Sequence, residues 1–116
     1  ADIAAHFTDD AVVYDTNHKP LVGAQAIGDF WAKIREQWSD ALWYVDTCII
    51  DGDRAAIEWT MTGTKGRAAF IVRGSEHYAF EDGLIAEIRQ YWTFNREDPN
   101  TSLVGFPYAE RANYHV

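Results

Sequence analysis

A single cysteine in 116 residues excludes an internal disulfide framework. Cys48 stands between Thr47 and Ile49 in a strand-like run, which reads as a buried, inert thiol. Long apolar runs are also missing, and none approaches the length of a membrane span. Metal-ligand spacing is absent: there is no His-x-His, His-Glu-x-x-His or Cys-x-x-Cys, and His6, His18 and His115 lie near ends or turns. Neither a phosphate loop nor a dinucleotide fingerprint occurs. No Gly-x-Ser-x-Gly elbow occurs either, so Ser39, Ser75 and Ser102 have no nucleophile context. Basic residues are few, 10 against 18 acidic, for a formal charge of −8. Long-range repulsion of polyanions argues against a nucleic-acid partner. The expectation is a cytoplasmic protein with no cofactor, no metal, no nucleic acid and no membrane. The chain opens on Ala1-Asp2-Ile3-Ala4-Ala5-His6-Phe7, without Met or a signal peptide, which reads as the end of a helix whose beginning is absent.

What is abundant is aromatic and alternating. Five Trp, six Tyr and six Phe give more aromatic surface than a minimal core needs, and the length suits one domain, residues 1–116. Residues 53–62, 68–80 and 83–92 read as strands joined by the turns 63–66 and 81–83. Asp82-Gly83 between apolar alternations is a strong hairpin signal, and consecutive strands on short turns pair antiparallel. Period two places Ile57, Trp59 and Met61 on one face, as it does Glu76, Tyr78 and Phe80, and Ile88, Gln90 and Trp92. A carboxylate on an apolar face is hydrogen-bonded, paired or functional.

Upstream, Ile27, Phe30, Trp31, Ile34 and Trp38 recur at helical spacing, so a helix runs from Gly23 to near Ser39. Gly28 inside it costs about 1 kcal/mol against alanine and can permit close packing on the sheet. Residues 1–8 suit a helical turn, 11–15 and 21–22 short strands, and 41–50 a further strand. In that strand Leu42, Tyr44, Asp46 and Cys48 alternate against Trp43, Val45, Thr47 and Ile49. Residues 93–116 show no period but are too apolar for a free tail, and are expected over a cavity mouth or a partner subunit. The order predicts an α+β fold. Its sheet is expected to be strongly curved and cone-shaped, closing over the helices around an apolar interior, with Gly63, Gly66 and Gly74 supplying the bend.

The chemistry-bearing candidates follow from parity. Asp15 shares a face with Val13 and Ala11, as a general base or as a turn cap ahead of Thr16-Asn17. Glu76 and His77 are adjacent and face opposite sides of an ideal strand. Tyr78 and Phe80 favour Glu76 as the inward one, leaving His77 for an outer face or a dimer interface. Tyr14, Tyr44, Tyr78 and Tyr91 are possible donors. Trp31, Trp59 and Trp92 are possible walls for an apolar ligand.

Two stretches carry a family resemblance: residues 7–15, Phe-Thr-Asp-Asp-Ala-Val-Val-Tyr-Asp, and 21–27, Leu-Val-Gly-Ala-Gln-Ala-Ile. With 51–59 and 80–89 they resemble the NTF2-like superfamily, which shares the cystatin-like fold, and within it the SnoaL-like (polyketide cyclase) branch and ketosteroid isomerases. The resemblance spans roughly residues 3–92, leaving 93–116 as a C-terminal extension. It implies a homodimer that takes a small apolar or cyclic ligand. It also implies cofactor-free acid–base chemistry as an isomerase, cyclase or dehydratase, or else a non-catalytic binding domain. By position, Asp15 falls where ketosteroid isomerases hold their general base and Glu76 where they hold a protonated oxyanion-hole acid. The cyclases of the branch imply an Asp and a His as acid and base, which brings in His77. The implied pocket takes in Tyr14, Trp31, Ile57, Trp59, Met61, Tyr78, Ile88, Gln90 and Trp92. Two departures stand out: the family's oxyanion-hole tyrosine comes from a first helix that this chain lacks, and Glu76 is a methylene longer than aspartate.

Overall fold

The computed structural model describes residues 3–38, 40–65, 68–95 and 97–116. Six strands form one mixed sheet: β1 (Phe7–Asp15), β2 (Leu21–Val22), β3 (Leu42–Asp51), β4 (Arg54–Lys65), β5 (Ala68–Glu81) and β6 (Leu84–Tyr91). Their spatial order is β2-β1-β6-β5-β4-β3. Only β1 and β6 run parallel; the other pairs are antiparallel. One α-helix, α1 (Ala24–Gln37), packs over β1 and β2. No helix among the described residues is long and apolar enough to cross a membrane.

Local chemistry explains the hairpins. Asp82 and Gly83 both take positive φ, 51° and 81°, as a two-residue turn matched to strand twist requires. α1 buries Ile27 and Gly28, and Ile27 joins Phe7, Ala11, Val13 and Ile88 in one core cluster. A second cluster holds Trp59, Met61, Phe70 and Val72, with Trp38 and Phe94 packed against it. Full burial of Ile27, Ile88, Val13 and Val72 contributes about 1.5–3 kcal/mol each.

The α+β class holds, but the cone does not. The sheet is open, with β2 and β3 as its edges, and is not strongly curved; among the described residues a single α-helix lies on it. The glycines expected to bend it make room for rings instead. A Cβ on Gly74 would come within 2.6 Å of Trp59, and one on Gly63 within 3.0 Å of Phe70. Gly66 lies outside the described residues, as do Ser39 and part of the 63–66 turn. The register irregularities put their unpaired residues on β1, β3 and β6.

Three smaller expectations also change. Residues 4–6 form only a 3-10 turn, and β1 starts at Phe7, taking in Thr8-Asp9-Asp10. Gly28 admits Ala4 of that turn rather than the sheet, a Cβ there meeting Ala4 at 3.3 Å. Cys48 is exposed, because β3 is an edge strand.

Candidate active site

Strand register builds a row of side chains on the face that carries α1. Asp15 pairs with Gln90, Gln90 with Glu76, and Glu76 with Ile57. Asp15 and Glu76 are thus two strands apart, about 10 Å between backbones. Val13, Ile88 and Tyr78 form the next row. Trp59, Met61 and Trp92 extend the same face and pack together.

Asp15 ends β1 and is held from three sides. Its Oδ1 accepts from the Asn17 backbone N–H at 2.8 Å and from Asn17 Nδ2 at 3.0 Å. Its Oδ2 accepts from Trp92 Nε1 at 2.8 Å, with His18 Nε2 at 3.6 Å. The side chain is 3% exposed. Asp15 therefore makes the turn contact expected ahead of Thr16-Asn17, and its register places it on the apolar side.

Glu76 accepts hydrogen bonds from Tyr78 Oη on one oxygen and Gln90 Nε2 on the other. Burial pushes its pKa above the ordinary 4.5; those two bonds pull it back, and the negative charge of Asp15 adds to the rise. The Tyr78 phenol is also pushed up, by burial first and by Glu76 second. Trp59 buries its indole N–H with no partner among the described residues.

Other residues named from the sequence fall elsewhere. His77 pairs with Ala56 and Arg89 on the opposite face and meets Tyr91 edge-on at 5.9 Å. Tyr14 pairs with Arg89 on that face and is 44% exposed. Trp31 packs edge-on against Phe7 at 5.5 Å, below the row. Tyr44 stacks on His115 at 3.8 Å. No three His, Cys, Asp or Glu converge as a metal site among the described residues.

Residues 99–116 cover part of the opposite face, over β3, β4 and β5. The chain first runs beside β5, where Ile71 bonds to Pro99 and Thr101, and then crosses the sheet. A polar network fastens it there. Arg73 donates from Nε to Ser102 Oγ (2.7 Å), and from Nη1 to Thr60 Oγ1 (2.9 Å) and the His115 carbonyl (2.8 Å). Its guanidinium lies 3.7 Å over the Tyr108 ring. Buried Asp46 accepts from Thr60 Oγ1 at 2.5 Å and from the His115 N–H at 2.9 Å. Glu58 accepts on Oε1 from Thr47 and from Tyr114 Oη. That bond pushes the Tyr114 phenol up to about 12. A cavity of about 300 Å³ opens beneath this segment. These residues escaped the sequence reading. The available signal was a charge inside an apolar strand: Asp46 between Val45 and Thr47, and Arg73 between Val72 and Gly74.

No curated protein matches the chain. A solved protein of unknown function with a cystatin-like fold from Methylobium petroleophilum is 30% identical, with 97% of this chain and 78% of that one covered and a TM-score of 0.67. A protein with a ketosteroid isomerase-like fold from Catenulispora acidiphila, solved with trimethylamine, is 18% identical over 78% of this chain and 72% of that one, TM-score 0.70. A protein assigned as a SnoaL-like polyketide cyclase from Jannaschia is 15% identical over 76% and 67%, TM-score 0.68. The sequence profile of the SnoaL-like domain matches residues 1–88, three quarters of the chain. With its mixed sheet, single packed helix and this match, the chain belongs to the SnoaL-like domain family of the NTF2-like superfamily.

Proposed function

We propose that the row Asp15, Gln90, Glu76 with Tyr78 is an acid–base site for a small apolar, cyclic carbonyl compound, in an isomerisation, cyclisation or dehydration that needs no organic cofactor. The observation that carries the reading is Glu76. It is a carboxyl with a raised pKa, two strands from a second carboxyl on one largely apolar face.

The chemistry follows from the hydrogen bonds. Ionised Glu76 accepts from both Tyr78 and Gln90. Protonated Glu76 donates to the Tyr78 oxygen instead, which frees the Tyr78 O–H to turn to a ligand oxygen. Tyr78 would thus take the part of the tyrosine that relatives place on their first helix. Asp15 Oδ2 keeps acceptor capacity beyond its Trp92 bond. It removes the proton next to the carbonyl, and the Tyr78–Glu76 pair stabilises the enolate oxygen as its charge develops.

Deuterium exchange next to the carbonyl of a cyclic ketone tests this by NMR. Asp15→Asn should slow exchange about 10²–10⁴-fold, the range for loss of a positioned acid–base group. Tyr78→Phe should also slow it. Exchange at the wild-type rate in Asp15→Asn would end the proposal.

A second reading, a non-catalytic binder of a small hydrophobic ligand, draws on the near-complete cover of Asp15, 3% exposed and already bonded. Saturable ketone binding without exchange would mark it. In either reading the chain forms a homodimer, to which Trp43, Val45, Ile49 and Ile50, all exposed on β3, are suited. Light scattering behind size exclusion checks the mass.

A further inference from the structure

The cavity on the opposite face has its own chemistry. It is lined by Glu58, Arg73, Ser75, Tyr91, Tyr108 and Tyr114, among others. Its volume, about 300 Å³, is that of a small-ligand pocket. Glu58 pairs with Ser75 and Thr60 with Arg73, so Glu58 and Arg73 are diagonal neighbours on one face of the sheet. They carry opposite charges yet form no ion pair with each other: the ion pairs among the described residues are His18–Asp15 and Arg89–Glu87.

The hydrogen-bond inventory shows what each has left over. A guanidinium has five N–H donors. Arg73 uses Nε and both positions of Nη1 on Ser102, Thr60 and His115, and Nη2 has no partner among the described residues. Glu58 takes both of its bonds on Oε1, from Thr47 and Tyr114, and Oε2 has none among the described residues. The C-terminal segment and the neighbouring strands thus hold one part of each charged group, and both residues line the cavity. Diagonal cross-strand neighbours lie about 7–8 Å apart at the backbone, within reach of long side chains, so one small ligand can meet both groups.

We propose that this cavity is a second binding site, for a small zwitterion of the α-amino acid class with an aromatic or apolar side chain. The ligand carboxylate would meet Arg73 Nη2, its ammonium would meet Glu58 Oε2, and its side chain would lie against Tyr91, Tyr108 and Tyr114. Asp46 also lines the cavity, but Thr60 and His115 already occupy its carboxylate. Its charge disfavours a ligand that is only anionic. The site is independent of the row on the helix side, because Glu58 and Ser75 alternate with Ile57 and Glu76 across the sheet.

The experiment is isothermal titration of the full chain with L-phenylalanine, phenylacetate and 2-phenylethylamine. Phenylalanine should bind saturably, and each analogue lacking one charge at least about tenfold more weakly. Glu58→Gln keeps an acceptor for Thr47 and Tyr114 and should weaken phenylalanine about tenfold or more. Ser75→Leu fills the cavity without removing either charge and should abolish binding at an unchanged circular dichroism spectrum. Equal affinity for either analogue overturns the proposal, as does full affinity in Ser75→Leu or the absence of saturable heat with all three probes. None of these outcomes bears on ketone exchange at Asp15.

Discussion

Asp46→Ala tests how the C-terminal segment is held. Asp46 is 9% exposed and sits where the register of β3 shifts between Val45 and Thr47. Its carboxylate accepts from Thr60 Oγ1 and from the backbone of His115, 69 residues away. Each is a hydrogen bond to a charged group, worth about 1.5–3 kcal/mol. Relief of the desolvation of a buried charge offsets part of the loss. The net cost should be about 2–4 kcal/mol, a fall in Tm of roughly 8–16 °C at about 4 °C per kcal/mol. The decisive measurement is a cycle. Ending the chain at Arg111 removes the His115 N–H from Asp46, the His115 carbonyl from Arg73 and the Tyr114 hydroxyl from Glu58. Asp46→Ala in that shortened chain should therefore cost about 1.5–3 kcal/mol less than in the full chain. Urea denaturation of the four variants reads this directly. Strict additivity would refute the idea that Asp46 acts by clamping the terminus.

Glu76 governs a pH dependence. Its folded pKa lies above its ordinary 4.5, chiefly through burial, so the folded chain holds the proton more tightly than the unfolded one. The stability it contributes is full below about 4.5 and is lost as pH rises through the folded value. Glu76→Gln should flatten that decline in denaturation midpoints; an unchanged slope would contradict the burial. Gly74→Ala should cost about 1–3 kcal/mol by overpacking. Its new Cβ would fall 2.6 Å from Trp59 Cζ2 and 2.9 Å from Trp92 Cβ, and denaturant midpoints will show whether those rings can move.

The parts of the fold that could be read ahead of the coordinates were those with local signatures. Alternation and turn residues located β4, β5 and β6 and grouped Ile57 with Trp59, Glu76 with Tyr78 and Ile88 with Gln90, and the register brings these groups onto one face. Helical spacing located α1. β3 shows where alternation stops being a guide. The irregularity between Val45 and Thr47 moves Cys48 from the side of Tyr44 to that of Val45, because Val45 pairs with Trp59 and Cys48 with Ile57. One extra residue in a strand leaves no mark in composition. The C-terminal network was hidden for another reason. Its bonds join residues 11 to 69 positions apart, from Thr47–Glu58 to His115–Asp46, and no period in the chain encodes such pairings. The open, weakly bent sheet likewise depends on what the glycines pack against, Trp59 and Trp92 at Gly74, rather than on their presence.

Odd and even positions of β5 answer to different masters. Val72, Gly74 and Glu76 belong with α1, and Arg73, Ser75 and His77 belong with the far side. Inserting one residue into β5 ahead of this stretch would exchange the two sets, sending a guanidinium among indoles and a carboxyl outward. Inserting two would leave each set where it is. Lineages of this domain should therefore vary in β5 length by pairs of residues, a bias that neither compartment alone would impose.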